Sequence, residues 1–305
     1  MDYGLIDTAA AQCGCEVLTD EPMKKHTTFR IGGPADRFAT VKTREQLQKL
    51  LPALKQGGVP YLILGKGSNL LVSDWGIRGA VLALSGEFQK LELLEDGESI
   101  VCGAGVKLAD LCKFARDNGL AGMEFAYGIP GTLGGAVFMN AGAYGGEMSF
   151  VVRKAQHMTE DGIVGFFSKD ELDFSYRHSA YEGKGLVILN AVVKLSHGNP
   201  EEIGRKMEEL MEKRRQKQPY EMASAGSTFK RPKEAFAAAL IEECGLKGKN
   251  IGAAAVSHKH AGFIVNQGTA SCEDVRRLIE TVKKTVLSQK GIELECEVRL
   301  VGEGV

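Results

Sequence analysis

Between Gly128 and Gly146 the chain places glycines at 128, 131, 134, 135, 142, 145 and 146. Glycine loses more backbone freedom on folding than any other residue, so this density needs a compensating reason. Close approach of the backbone to a ligand is such a reason, above all to a phosphate, because successive N–H groups form an anion-binding concavity. A flexible linker reads differently. It is Gly and Ser without the Ile129, Leu133, Val137, Phe138 and Asn140 that interleave here. The run therefore predicts a folded domain whose backbone comes close to a ligand.

At 305 residues the chain is long enough for two or three domains and a substantial core. A hydrophobic content of 44% and a charged content of 25% are those of an ordinary soluble protein. The net charge of −1 gives no broad surface for a polyanion, so nucleic acid is not an expected partner. No apolar run approaches the length of a bilayer span, and no apolar leader precedes the first basic residue, Lys24. The expected location is the cytoplasm. The seven cysteines, at 13, 15, 102, 112, 244, 272 and 296, are odd in number and contain no C-x-x-C pair, as expected of a reduced set. No metal is expected. Cys13-Gly-Cys15 supplies only two ligands, and His258-Lys-His260, read as two histidines on one strand face, lacks further ones.

Periodicity predicts a mixture of helices and strands, class α+β. The segment to about residue 25 reads as a peripheral helix. Thr43–Leu54 reads as a helix with Thr43 and Gln46 as a capping box, a stripe of Leu47, Leu50, Leu51 and Leu54, and Gly57-Gly58 at its end. Tyr61–Leu64, Ala80–Leu84, Ile100–Cys102 and Leu186–Leu195 read as strands, and Leu108–Asn118 as a helix closed by Gly119. A boundary is expected near Ser196–Pro200, dividing residues 1–195 from 199–305. Asn199 then caps a helix begun by Pro200, with Ile203, Met207, Leu210 and Met211 on its buried face. Beyond it come a short helix over Glu234–Cys244, a strand-like Ala254–Val265, and a long helix over Ser271–Gln289 with Ser271 and Asp274 as its capping box. The last element is a strand over Ile292–Val301.

Several segments could carry chemistry. Leu64-Gly-Lys-Gly-Ser-Asn-Leu70 follows an apolar strand and offers N–H groups plus two polar side chains for a pyrophosphate. It is neither a Walker loop nor a Rossmann fingerprint, since Leu70 stands where a third glycine is required. Together with the Gly128–Gly146 run it suggests a nucleotide cofactor gripped by two loops of one domain. In Asp173-Phe-Ser-Tyr-Arg-His178 the guanidinium of Arg177 suits an anionic substrate. Ser227 and Lys230 match the S-x-x-K pattern of serine acyl-enzymes, but Ser-Asp-Asn and Lys-Thr-Gly are missing. Alternation in the final segment puts Glu293, Glu295, Glu297 and Arg299 on one face and Leu294, Cys296, Val298 and Leu300 on the other. Spacing does not separate Glu295 from Glu297 as the functional carboxylate.

Taken in order, Thr27–Gly33, Gly65–Leu70, Gly128–Gly131, Asn140–Gly145, Tyr176-Arg177, Ala225–Lys230 and Leu294–Arg299 resemble the UDP-N-acetylenolpyruvoylglucosamine reductase family over roughly Thr27 to Glu303. The resemblance implies an FAD-binding domain of the vanillyl-alcohol-oxidase or PCMH type. It also implies a C-terminal α+β substrate-binding domain, with the final strand, 292–301, returning toward the FAD site. Non-covalent FAD is then held by Gly65, Lys66, Gly67, Ser68, Asn69 and Leu70. The second loop supplies Gly128, Ile129, Pro130, Gly131, Thr132, Gly134 and Gly135, then Asn140, Ala141, Gly142, Ala143, Tyr144 and Gly145. NADPH is the implied hydride donor. The implied substrate is UDP-N-acetylglucosamine enolpyruvate, which receives hydride at C3 and a proton at C2 to give the peptidoglycan precursor UDP-N-acetylmuramate.

The matching positions imply Ser227 as the proton donor to C2, and Arg177 with Glu297 as the pair that stabilises charge around the substrate carboxylate. Tyr176, Arg214 and Lys217 are implied substrate-binding residues. The chemistry agrees with those types. A flavin performs the redox step and leaves orientation and charge stabilisation to the protein. A fixed arginine meets the charge that develops on an aci-carboxylate. A carboxyl at Glu297 helps there only when it holds or shares a proton. A serine donates only if its alkoxide is stabilised, and Lys230 is a local source of positive charge. Only about fifty residues separate Arg177 from Ser227, so the chain resembles the shorter type of the family, without an extra loop bearing a tyrosine lid; Tyr144 and Tyr220 are the available substitutes. A monomer is expected. The alternative is another FAD-dependent oxidoreductase of the same fold, acting on a hydroxy acid or sugar.

Overall fold

A computed structural model describes residues 1–233 and 235–305. The chain forms two compact units that are interleaved in sequence. The first comprises Met1–Thr19, Arg37–Lys66 and Gly79–Glu212, and the second Asp20–Asp36, Gly67–Arg78 and Lys213–Val305.

The first unit holds two large sheets and two two-stranded ones. One is four-stranded, in the order Glu16–Pro22, Pro34–Val41, Ile77–Leu84, Tyr61–Leu64, and three of its strands run on across the unit boundary. Tyr61–Leu64 pairs in parallel with Ala80–Ala83. Helices Tyr3–Cys13 and Arg44–Gln56 share a core with this sheet. The second begins at Thr43, whose hydroxyl accepts from the Gln46 N–H at 3.1 Å, and it buries Leu47, Leu50, Leu51 and Leu54 as its stripe predicts. The other sheet is antiparallel, in the order Val164–Ser168, Val152–Met158, Val187–Lys194, Ser99–Gly103, Leu91–Leu93. Helices Leu108–Asp117 and Leu133–Phe138 close its core.

In the second unit a four-stranded sheet runs in the order Ala223–Ser227, Phe263–Asn266, Ala254–Val256, Asn250–Ile251. Helices Ala237–Glu243 and Cys272–Lys290 share its core. The long helix starts at the Ser271–Asp274 capping box and stops at Gly291, whose φ of 69° is the left-handed value that ends a helix. Asp74 adds a carboxylate at the helix start, accepting from the N–H groups of Cys272 at 2.8 Å and Glu273 at 3.1 Å.

Four expectations change. The N-terminal segment is not a peripheral helix to residue 25. Gly14, at φ 62°, ends the helix at Cys13, Ile6 and Ala10 are buried, and the chain turns into a strand. Where one division is expected at 195–199, the chain passes between the units at five points, the last at Glu212/Lys213 inside helix Pro200–Lys217, whose Ile203 and Met207 belong to the first unit's core. Ala254–Val265 is a hairpin, and His258 and His260 lie in its connection rather than on a strand face. Burial holds His260 below the ordinary imidazole range, and its Nδ1 accepts from the Gly262 N–H at 3.2 Å. Of the final segment only Arg299–Val301 is in a ladder; before it, Cys296 makes an isolated bridge to Phe229. The short helix is observed over Ala237–Glu243; Glu234, with which its expected range began, lies outside the described residues.

Among the described residues no helix is long and apolar enough to cross a membrane, and no group of three or more His, Cys, Asp or Glu could hold a metal ion. All seven cysteines are free thiols, and burial pushes those of Cys102 and Cys112 well up from the ordinary range.

Candidate active site

The first unit carries the long glycine run and the Arg177 turn. Residues Gly131–Gly134 lie along Ala104–Leu108: Leu108 N–H donates to the Gly131 carbonyl, Leu133 N–H to Val106 and Gly134 N–H to Ala104, at 2.8–3.0 Å. At Gly134 an added Cβ would sit 3.0 Å from the Cβ of Ala104. The two glycine loops also meet. A Cβ on Gly65 would stand 2.5 Å from Thr132 Oγ1, so bare backbone is required there. Farther along, Gly142–Ala143 and Gly146–Glu147 form a tight hairpin whose tip holds Tyr144, half-exposed at φ 52°.

Asn140 lies at the centre of this region and is only 1% exposed. Its Nδ2 donates to Glu147 Oε1 at 3.2 Å and to the Ser175 carbonyl at 3.0 Å, and its Oδ1 accepts from the Ser149 N–H at 2.9 Å. Ser179, also buried, donates to the Phe138 carbonyl at 2.7 Å. These bonds stitch the turn bearing Tyr176 and Arg177 onto the glycine run. Ser175 and His178 exchange both backbone bonds around that turn, at 3.1 and 3.2 Å. Arg177 adopts φ 55°, a left-handed value that costs a non-glycine residue energy and marks functional sites more often than chance. Its guanidinium carbon lies 5.0 Å from the Tyr176 ring centroid. The turn therefore presents a cation backed by an aromatic ring.

In the second unit, Ser227 ends strand Ala223–Ser227 and pairs with Phe263 across an irregular register in which Gly226 takes φ 76°. The next residue, Thr228, receives the Glu297 N–H on its carbonyl at 2.8 Å. Ser227 and Glu297 are thus brought together from positions seventy residues apart. Glu295 behaves differently. It is exposed and its carboxylate takes the Lys230 ammonium at 3.0 Å, while Glu297 is half-buried. This separates the two glutamates: Lys230, the positive charge expected near Ser227, is the partner of Glu295. Arg214 is buried, with Nη1 donating to Gln218 Oε1 at 3.3 Å; Lys217, the other expected substrate contact on that helix, is exposed.

Gly67 belongs to this unit and shows what its loop requires. It has φ 59°, and an added Cβ would run into the His26 carbonyl and the Thr27 Cα. Gly67→Ala is expected to cost about 2–4 kcal/mol, the left-handed penalty plus overpacking. Denaturant unfolding measures it, and a variant as stable as the parent would contradict the packing.

Comparison with known proteins bears on the same residues. Residues 218–301 match the model of the UDP-N-acetylenolpyruvoylglucosamine reductase C-terminal domain, and residues 35–165 match an FAD-binding domain. A UDP-N-acetylenolpyruvoylglucosamine reductase of Caldanaerobacter subterraneus is 49% identical, over 94% of this chain and 94% of its own. The chain belongs to the UDP-N-acetylenolpyruvoylglucosamine reductase family. A second such reductase, from Clostridium novyi, is 47% identical over 94% of this chain and 93% of its own. The crystal structure of the Thermus caldophilus reductase superposes with a TM-score of 0.80 at 38% identity, covering 94% of this chain and 98% of that one.

As a reductase of this family the protein is an FAD-dependent oxidoreductase, an α+β protein with an FAD-binding domain and the family's C-terminal domain. The FAD-binding match over residues 35–165 takes in both glycine loops of the first unit, where bare backbone lets Gly65 pass Thr132 and Gly134 pass Ala104. The serine acyl-enzyme pattern is set aside. The family assignment replaces it.

Proposed function

We propose that this reductase converts UDP-N-acetylglucosamine enolpyruvate to UDP-N-acetylmuramate with NADPH, as a cytoplasmic monomer supplying peptidoglycan synthesis. The observation that carries the reading is the joining of Ser227 and Glu297 through the Thr228 carbonyl, which sets a hydroxyl and a half-buried carboxyl on neighbouring backbone. Bound FAD would supply the relay of hydride from NADPH to C3 of the enolpyruvyl ether.

The protein residues handle charge and the proton. Arg177, on its fixed turn, pairs with the substrate carboxylate and stabilises the negative charge that builds there as C3 gains hydride. Ser227 Oγ gives its proton to C2. Glu297 holds or shares a proton at the carboxylate end of the same intermediate. The glycine loops hold the cofactor, and Tyr176, Arg214 and Lys217 contribute to holding the nucleotide sugar.

The test is the visible spectrum of the purified protein under anaerobic conditions. A flavin spectrum that bleaches with NADPH and recovers on adding UDP-N-acetylglucosamine enolpyruvate is the expected result. Bleaching without recovery would show a different acceptor and overturn the proposal.

A further inference from the structure

Glu297 is held at both of its backbone polar groups. Its N–H donates to the Thr228 carbonyl at 2.8 Å, and its carbonyl accepts from Asn69 Nδ2 at 3.0 Å. The Asn69 carbonyl in turn accepts from the Arg299 N–H at 2.9 Å. Asn69 therefore stands at the mouth of the parallel ladder that joins Leu70–Val72 to Arg299–Val301. Its main chain opens that ladder and its side chain carries the pairing back to residue 297, a side-chain amide doing what a backbone N–H does farther along. No regular ladder covers residues 292–298, so these bonds set the peptide plane from which the Glu297 carboxyl projects.

We infer that Asn69 is a positioning residue for Glu297, its carboxamide serving the protonation chemistry rather than the grip on the cofactor. The inference rests on the role proposed above for Glu297. It divides the Gly65–Leu70 loop between two tasks: backbone toward the cofactor, and the Asn69 side chain toward the final segment. The chemistry at position 69 is specific. Leucine matches the heavy-atom branching of asparagine and removes the donor. Aspartate keeps the shape but sets a carboxylate oxygen against the Glu297 carbonyl, where repulsion replaces the bond.

The test uses the FAD-loaded full chain in five forms: parent, N69L, N69D, E297Q and N69L/E297Q. Three quantities are read in each: FAD bound per chain, the rate of flavin reduction by NADPH, and the rate of flavin reoxidation by UDP-N-acetylglucosamine enolpyruvate. N69L and N69D are expected to retain FAD and the parent's reduction rate. Their reoxidation is expected to slow about 10- to 100-fold, the scale of a misplacement of about 1 Å. In the E297Q background N69L is expected to add little, because residues acting through one another are not additive. Loss of FAD from both single variants would put the side chain in the cofactor grip and overturn the inference. Full multiplicative slowing in the E297Q background would do the same, since Asn69 would then act independently of Glu297. If N69L does not fold, N69D and N69D/E297Q give the same readouts. A parent enzyme whose flavin this substrate does not reoxidise overturns the proposed function as well, whereas the preceding outcomes overturn the inference alone.

Discussion

Ser227→Ala is expected to leave flavin reduction by NADPH at the parent rate and to slow reoxidation by the enolpyruvyl substrate about 10²- to 10⁴-fold, the range of a lost general acid. The two half-reactions separate because the proton is needed only when C2 must be capped. Serine is a weak acid, so the group that steadies its alkoxide matters as much as the hydroxyl. Lys230, three residues on, keeps its positive charge in the exposed pair with Glu295. Alanine loses only the oxygen, and Ser227 is half-buried at a strand end rather than in the core, so stability should change little. Anaerobic stopped-flow absorbance reads both halves in one preparation. Reoxidation at the parent rate would remove Ser227 from the mechanism.

Arg177→Lys carries the second large effect, an expected loss of about 10²- to 10³-fold in the rate of reoxidation, comparable to removing one donor that meets developing charge. The charge survives the change; the planar fork does not. Lysine and arginine bear the same left-handed penalty at φ 55°, so the backbone of the turn contributes equally to both proteins. The bonds from Asn140 to the Ser175 carbonyl and from Ser179 to the Phe138 carbonyl are untouched. Unfolding midpoints should therefore coincide while rates diverge. A lysine variant that reoxidises as fast as the parent would show that the fork is not used.

What could be read from the residues alone was what local chemistry determines. The Thr43–Gln46 and Ser271–Asp274 capping boxes, the leucine stripe after Thr43 and the helix begun at Pro200 all appear as their spacing predicts. Their signals lie within a turn or two of the chain. The strand expected over Ile292–Val301 shows the converse. Its alternation survives in the burial of Leu294 and Val298, but a ladder needs a partner, and the partner of Arg299–Val301 is Leu70–Val72, far away in sequence. The same blindness hid the difference between Glu295 and Glu297, which depends on where Lys230 and Thr228 fall. Asn140, which the resemblance places at the cofactor, also braces the Arg177 turn with its side chain, a contact that spacing does not reveal. The buried Ser179 hydroxyl that satisfies a carbonyl and the Thr228 carbonyl that receives a distant N–H leave no mark in a single sequence.

The interleaving of the units has a consequence for how the protein can be made. A ribosome delivers residues 20–36 and 67–78 early, yet their unit is completed only by Lys213–Val305. Leu70–Val72 in particular waits for Arg299–Val301, its ladder partner, which emerges far later in the chain. Until then Leu71 and Val72, both buried in the finished protein, have no final place. Pairing over such separations is slow to form and leaves apolar segments uncovered in the interval. Truncation from the C-terminus should thus damage more than the segment removed, and no single cut can release either unit intact, because the chain passes between them at five points.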